Sequence, residues 1–486
     1  MPPLQRVLRS FDATTIVIGS MIGSGIFITS AESARLVGAP GWLLVAWGLA
    51  GLLTISGALT CAELAAAFPR AGGQYVFLRD AYGPGVGFLF GWALFTVIQS
   101  GTIAAVAVAF ASFLGVLVPG ISAGRFIVAP VALGGSGYAI SLSTEQLAAL
   151  LSILVLTFAN TRGLKQGVRV QNLSTIAKVA ALVGLIVVGL AWGDHSGGAA
   201  RTSSWWDPAA NGAKRVGTLA LLMLLGRAMV GPLFAQSAWN NVTFAGAEVK
   251  NPGRNLPRAL LIGCGTVVGL YLLANLAYIA VLPLDQIQHA PNNRVAVLLM
   301  QNILGPAGGV IMAAVIVVST FGCNNGLILS GARVYYAMAR DGLFFAKAGA
   351  VNARAVPARA LAFQGVWAAL LTLPRTVTAT PAGSPVYGNV YTQLLEYIVA
   401  ADMIFYGLMI ASVFVLRRKA PAVERPYRVW GYPLVPLIYL TVDVLLVLDL
   451  SYLTPATSGI GYLLVLAGVP VFLIWKRYAV PIPETA

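Results

Sequence analysis

The sequence predicts an all-α membrane protein of about twelve spanning helices, and three observations carry that prediction. Of its 486 residues, 58% are hydrophobic and only 10% charged, with a mean hydropathy of +0.82. Soluble domains carry about 25% charged residues, so this chain lacks the polar surface that a water-exposed fold requires. Apolar runs follow one another along the whole chain, most of them near the roughly 20 residues that a helix needs to cross a bilayer core. They lie at 11–36, 41–67, 86–118, 145–161, 170–192, 217–249, 257–282, 306–336, 357–374, 388–416, 431–451 and 457–475. The basic residues sort by side: with both termini in the cytoplasm, 22 of the 31 lysines and arginines fall in cytoplasmic segments and 7 in outer loops. This positive-inside bias orients the chain. It also accounts for the net charge of +15 without a nucleic-acid partner.

The same reading argues against other classes. Arg6 and Arg9 before an apolar run resemble a secretory signal, but the run continues past Ile28 without a cleavage site and is read as the first span. Cys61, Cys264 and Cys323 lie far apart in apolar runs, and His195 and His289 fall in outer loops. That spacing suggests no disulfide framework, metal site or cofactor. No nucleophile–base pair or phosphate loop lies at depth, so an enzyme or a primary pump is not expected. An ion channel would want a repeated filter, and none is visible. The longest polar connections are 193–216 and 283–305, both outside; Arg294 to Leu304 reads as a helix over the outer mouth.

Two runs are interrupted. The first carries Gly19-Ser20-Met21-Ile22-Gly23-Ser24-Gly25, and the sixth carries Gly231-Pro232 followed by Ala235-Gln236-Ser237-Ala238-Trp239-Asn240-Asn241. Each opens a block of five helices, 11–192 and 217–416, with two additional helices over 431–475. Interruptions at matching places in two halves point to an inverted-repeat carrier with its site at the breaks. Backbone unwinds at membrane depth only where it lines a cavity or is buried in protein.

Such a break supplies chemistry. The second half-helix begins with unpaired N–H groups that attract a carboxylate, and the first ends in unpaired carbonyls that attract an ammonium. Two facing breaks therefore form a receptor for a zwitterion. Here Gly23, Ser24 and Gly25 would offer N–H groups, beside Met21 and Ile22, while the carbonyls of Phe234, Ala235 and Ser237 would take an amino group.

At these residues the chain resembles the amino acid–polyamine–organocation (APC) transporters, in particular the L-type amino acid transporter branch. The resemblance is carried by Met21-Ile22-Gly23-Ser24-Gly25-Ile26-Phe27, by Glu63-Leu64 with Pro69-Arg70-Ala71-Gly72-Gly73-Gln74-Tyr75, and by Phe234 to Asn240 with Glu248 to Pro257. Ser330 to Gly342, Arg425-Pro426-Tyr427-Arg428 and Gly431-Tyr432-Pro433 extend it in order along residues 11–436. It implies the LeuT-type five-plus-five inverted repeat, alternating access and an amino acid substrate, and the short termini suit a permease of a cell (inner) membrane. Phe234 resembles the aromatic that caps the substrate from outside, with Trp239 a second gate residue. The family's sixth break is richer in glycine and often holds an aromatic; Ala235-Gln236-Ser237-Ala238 here favours a small or polar neutral substrate. A cationic amino acid or polyamine, carried with protons, is the alternative. Heteromeric members bind a partner through an outer-loop cysteine, so the absence of one predicts function without a disulfide-linked accessory subunit.

Charges inside the apolar runs complete the site. An ionised side chain at the bilayer centre costs about 2.5–3.5 kcal/mol on insertion scales, so it is expected to have a partner or a role. By resemblance, Lys178 matches the lysine that replaces a bound sodium ion in sodium-independent members; its ammonium would tie carbonyls near Ile18–Ser20 to Ser319 or Thr320. Asp402 falls where the family places a pocket-lining asparagine, which suggests substrate selection or proton coupling. Arg227 and Glu396 lie toward the outer face, where an ion-pair gate or simple interfacial placement would suit them. Gln99 and Asn324-Asn325 are polar at depth, either lining the path or bonding between helices.

Overall fold

The computed structural model describes residues 4–134, 137–379, 385–389 and 391–478. Among the described residues, ten helices are long and apolar enough to cross a membrane, and a bent pair makes an eleventh. That pair is α1 (Ser10–Met21) and α2 (Gly25–Val37), set 40° apart across a three-residue gap. A capping box opens α1, where Asp12 accepts from the Arg9 N–H at 2.9 Å. Gly38, with φ of +64°, closes α2 in the left-handed conformation that a side chain would resist. Next come α3 (Pro40–Ala67), the short α4 (Gln74–Tyr82) and α5 (Pro84–Leu117), whose middle is a π-helical turn over Leu94–Ile98. Then α6 (Thr144–Thr161) and α7 (Leu164–Trp192) end the first half.

The sixth run is a chain of short helices: α8 (Thr218–Ala228), α9 (Val230–Ala235) and α10 (Asn241–Phe244). It is followed by α11 (Pro252–Val281) and α12 (Val295–Arg340). Val295 to Leu304 is helical, as the sequence suggests, and is set off from the spanning part by Gly305 at φ of +67° and by Pro306. The chain continues through α13 (Ala358–Leu370), α14 (Tyr391–Lys419), α15 (Leu434–Leu453), α16 (Pro455–Leu466) and α17 (Gly468–Tyr478).

One expectation needs correction. The ninth apolar run, read as a helix over 357–374, is helical only over Ala358–Leu370. Thirteen residues at 1.5 Å each reach about 20 Å, short of a 30 Å hydrocarbon core. The rest enters a four-stranded antiparallel sheet of β1 (Phe126–Ala132), β2 (Tyr138–Ser143), β3 (Pro374–Ala379) and β4 (Pro385–Asn389), in that order. The fold is helical through its spans, as expected, and carries this small sheet in two of its connections. The sheet joins the connection after α5 to the connection after α13, with Tyr138 opposite Thr376 and Ile140 opposite Pro374. Arg375 fixes this junction by donating to Ser141 Oγ at 2.9 Å and Ser143 Oγ at 2.8 Å.

The interior and the outer belt are both apolar. Helix α1 is buried against α7, α11 and α12, while Leu151, Val155, Phe158, Leu173, Ile176 and Leu222 are exposed on the outside. In water so large an exposed apolar belt would be an association liability; in lipid it is the matching surface. This is a multi-pass membrane protein.

The face of the bundle that bears the sheet opens into a chamber lined by Ser122, Glu145 and Arg294, and ion pairs tie the opposite, basic face. At the basic face Glu63 accepts from Arg417 at 2.9 and 2.6 Å and from the Val429 N–H at 2.8 Å. Arg333 donates to Glu248 at 2.7 Å with both side chains buried. The N-terminal segment adds a latch, with the Val7 and Leu8 N–H groups both on the Glu248 carbonyl at 2.9 Å. Arg79, from α4, pairs with Asp341 at the end of α12.

Candidate functional site: two broken helices in contact

The helical ladder of α1 stops where the Ile22 N–H meets the Ile18 carbonyl at 2.9 Å. Ile22 is extended, with φ of −76° and ψ of 90°, and Gly23 bonds back only to the Met21 carbonyl. The new helix begins with the Phe27 N–H on the Ser24 carbonyl at 3.1 Å, so the Ser24 and Gly25 amides lie at a helix start, outside the α1 ladder. In the sixth run the α9 ladder ends at Gln236, and Ala238 takes the left-handed region at φ of +63°. A non-glycine residue held there costs on the order of 1–2 kcal/mol, so the surrounding packing imposes the break.

The breaks touch. A Cβ added to Gly25 would lie 2.5 Å from the Ala235 Cβ and 2.7 Å from its Cα. Only glycine permits that approach. Tyr271 on α11 staples the pair, its hydroxyl lying 3.0 Å from the Met21 carbonyl and 3.3 Å from the Ala235 carbonyl.

Lys178 occupies the junction. Its ammonium donates to the Gly19 and Ile22 carbonyls, each at 2.8 Å, from a wholly buried position on α7. Ser319 also donates to the Ile22 carbonyl, at 3.4 Å. Thr320, paired with it in the sequence reading, turns away and bonds its own helix at Ile316 and Val317. The Cys323 thiol approaches the Ser20 carbonyl at 3.1 Å. A single positive charge thus sits among carbonyls where a small cation would be coordinated.

Above the break, Ser24 Oγ and the Tyr391 hydroxyl are 2.9 Å apart, and Phe234 meets the Tyr391 ring edge-on at 6.4 Å between centroids. These three form a floor beneath the open face. Arg227 and Glu396 line the cavity above Tyr391 together with Glu32, and no ion pair joins Arg227 to Glu396 among the described residues. Below the break, Ser237, Asn240, Asp402 and Tyr406 enclose a cavity of about 10 Å³, bordered by the π-helical turn of α5. That space suits about one water molecule.

Other expected residues point elsewhere. Gln236 faces α3, with its amide on the Trp47 carbonyl at 3.3 Å. Trp239 stacks on Tyr406 at 5.2 Å, on the closed side of the break and away from Phe234. The Phe234 carbonyl already accepts the Ser237 N–H at 3.1 Å and its hydroxyl at 2.8 Å. Gln99 donates to the Leu327 carbonyl at 2.8 Å, and Asn325 binds Gly167 and Gln171, so both connect helices. Tyr271 and Tyr391 were not singled out in the sequence, because a lone tyrosine in an apolar run gives no signal distinct from packing.

A helical membrane protein with two discontinuous spans meeting at a buried cation is a secondary carrier by architecture. Residues 8–475 match the family model described as amino acid permease, and the chain belongs to that family. It is 31% identical over 478 residues to the serine/threonine exchanger SteT of Bacillus subtilis, covering 98% of each chain. It is also 30% identical to the mouse large neutral amino acids transporter small subunit 2, over 97% of this chain and 81% of that one. The mouse Asc-type amino acid transporter 1 is 29% identical, over 97% of this chain and 81% of that protein. The L-type resemblance read from the motifs therefore extends over nearly the whole length.

Proposed function

We propose that the protein is a sodium-independent exchanger of small neutral amino acids that works by alternating access. The observation that carries this reading is the contact between the two breaks, with the Lys178 ammonium 2.8 Å from the Gly19 and Ile22 carbonyls. The helix start at Ser24 and Gly25 would hold the substrate carboxylate, and the carbonyls of Ala235 and Ser237 at the second break its ammonium. The resident lysine takes the coordination that a sodium ion would otherwise fill, so each cycle needs substrate but no sodium. The tight Gly25–Ala235 approach and the Phe234–Tyr391 floor favour a short side chain over a bulky one. The five-helix blocks 11–192 and 217–416 would move against each other, with 431–475 peripheral. The basic face would lie in the cytoplasm with both termini, in a cell inner membrane, as the distribution of lysine and arginine supports. Cys61, Cys264 and Cys323 are buried, which favours function without a disulfide-linked accessory subunit.

Asp402 supports a second reading, a carrier of cationic amino acids or polyamines linked to protons, since its carboxyl borders the cavity below the break. One experiment separates the two. Purified protein in liposomes is screened with radiolabelled amino acids, with and without internal substrate, sodium and a pH gradient. The first reading expects uptake that requires internal amino acid and is unchanged when choline replaces sodium. Uptake abolished by that replacement would overturn it, and uptake driven by a pH gradient into empty liposomes would favour the second.

A further inference from the structure

The open face holds a chamber of about 560 Å³, within the range of small-molecule sites. Two charged residues of opposite sign line it, Glu145 at the start of α6 and Arg294 at the start of α12, together with Ser112, Asn292, Ile28 and Tyr391. Glu145 is only 8% exposed, yet it makes no hydrogen bond or ion pair among the described residues. A carboxylate buried to that degree normally has a partner. Arg294 is held from one side, donating through Nη2 to the Ser112 carbonyl and hydroxyl at 2.8 Å and lying over the Phe113 ring at 5.4 Å. Its Nε is buried with no acceptor.

Burial lowers the pKa of Arg294 and the Glu145 carboxylate works against that shift, so each feels the other's charge although no ion pair joins them. Arg375, bound to the sheet through Ser141 and Ser143, also faces Glu145 electrostatically, with burial lowering its pKa and Glu145 opposing the change. The chamber is thus lined by a carboxylate without a hydrogen-bond partner among the described residues and by a guanidinium held from one side. It continues to the break, because Tyr391 lines it and also contacts Ser24 Oγ at 2.9 Å.

We propose that this chamber is a loading site for the zwitterionic amino acid on its way from the open face to the broken helices. Glu145 takes the α-ammonium and the Arg294 guanidinium the α-carboxylate, and Tyr391 separates this station from the one at Ser24. The site rests on the amino acid reading above and adds to it a selection step that depends on both charges being present. Amines without a carboxylate, or carboxylates without an ammonium, leave one of the two groups unmatched, which favours free amino acids before they reach the centre.

The test measures KM from each side of the membrane in proteoliposomes of wild type, Glu145→Gln and Arg294→Gln, using labelled serine or whichever neutral amino acid wild type carries. The expected result is a rise of about tenfold in KM for substrate offered to the open face, with KM from the opposite face at its wild-type value. An unchanged KM on both sides, or an equal rise on both, would overturn the loading site. Two variants guard against one failing to fold, and monodispersity on size exclusion checks each. If wild type itself carries no amino acid, the parent reading falls instead, so the two failures are distinguishable.

Discussion

Replacing Lys178 with methionine keeps the length and apolar stem of the side chain and removes its charge and donors. The structure sets the magnitude. Lys178 makes two hydrogen bonds of 2.8 Å to the Gly19 and Ile22 carbonyls, at a site with no solvent access. A hydrogen bond to a charged group contributes about 1.5–3 kcal/mol, and a buried carbonyl left without a donor costs about 1–3 kcal/mol. Removing the ammonium also recovers part of the several kcal/mol that its burial costs. The net loss is about 3 kcal/mol, borne by the geometry of the first break. At 1.36 kcal/mol per tenfold, initial uptake should fall by roughly two decades. The assay is exchange of labelled substrate in proteoliposomes, with thermal stability in detergent measured alongside. Lys178→Met with near wild-type exchange in choline buffer would refute the claim that the lysine replaces a cation and shapes the break.

Further perturbations probe the same junction. Gly25→Ala would place a Cβ 2.5 Å from that of Ala235, so exchange should drop at least tenfold by prising the breaks apart, while monodispersity is retained. Tyr271→Phe removes the hydroxyl shared by the Met21 and Ala235 carbonyls, which should cost about 1 kcal/mol and reduce exchange several-fold. Glu248→Gln leaves the buried Arg333 guanidinium uncompensated, and breaking such a pair costs about 3–5 kcal/mol. Its effect should appear as a lowered melting temperature before any change in substrate ranking.

The spans were legible because lipid demands long apolar runs, whatever their neighbours. The ninth run was overextended because the apolar stretch around Leu370 continues toward Pro374, whereas the chain there pairs with β2, more than two hundred residues earlier. No local pattern announces that partner. Both breaks were legible through clustered glycine, proline and small polar residues, but the directions of their side chains were not. Neighbouring helical residues point about 100° apart. That single step decides why Ser319 reaches the Ile22 carbonyl and Thr320 does not. At the second break, where the helix has ended, the chain turns Gln236 onto the Trp47 carbonyl and Ser237 to the cavity of Asp402. Glu145 passed unnoticed because an acid in the first turn of a helix reads as ordinary capping, and only its burial without a partner sets it apart.

The central claim is that peptide groups at the two breaks read both charged ends of a free amino acid. Competition by analogues that lack one end tests it most directly: the substrate's amide, without the carboxylate, and its N-acetyl derivative, without the ammonium. The account expects neither to inhibit exchange at concentrations where the parent amino acid inhibits fully. Inhibition by either analogue as strong as by the parent would contradict it.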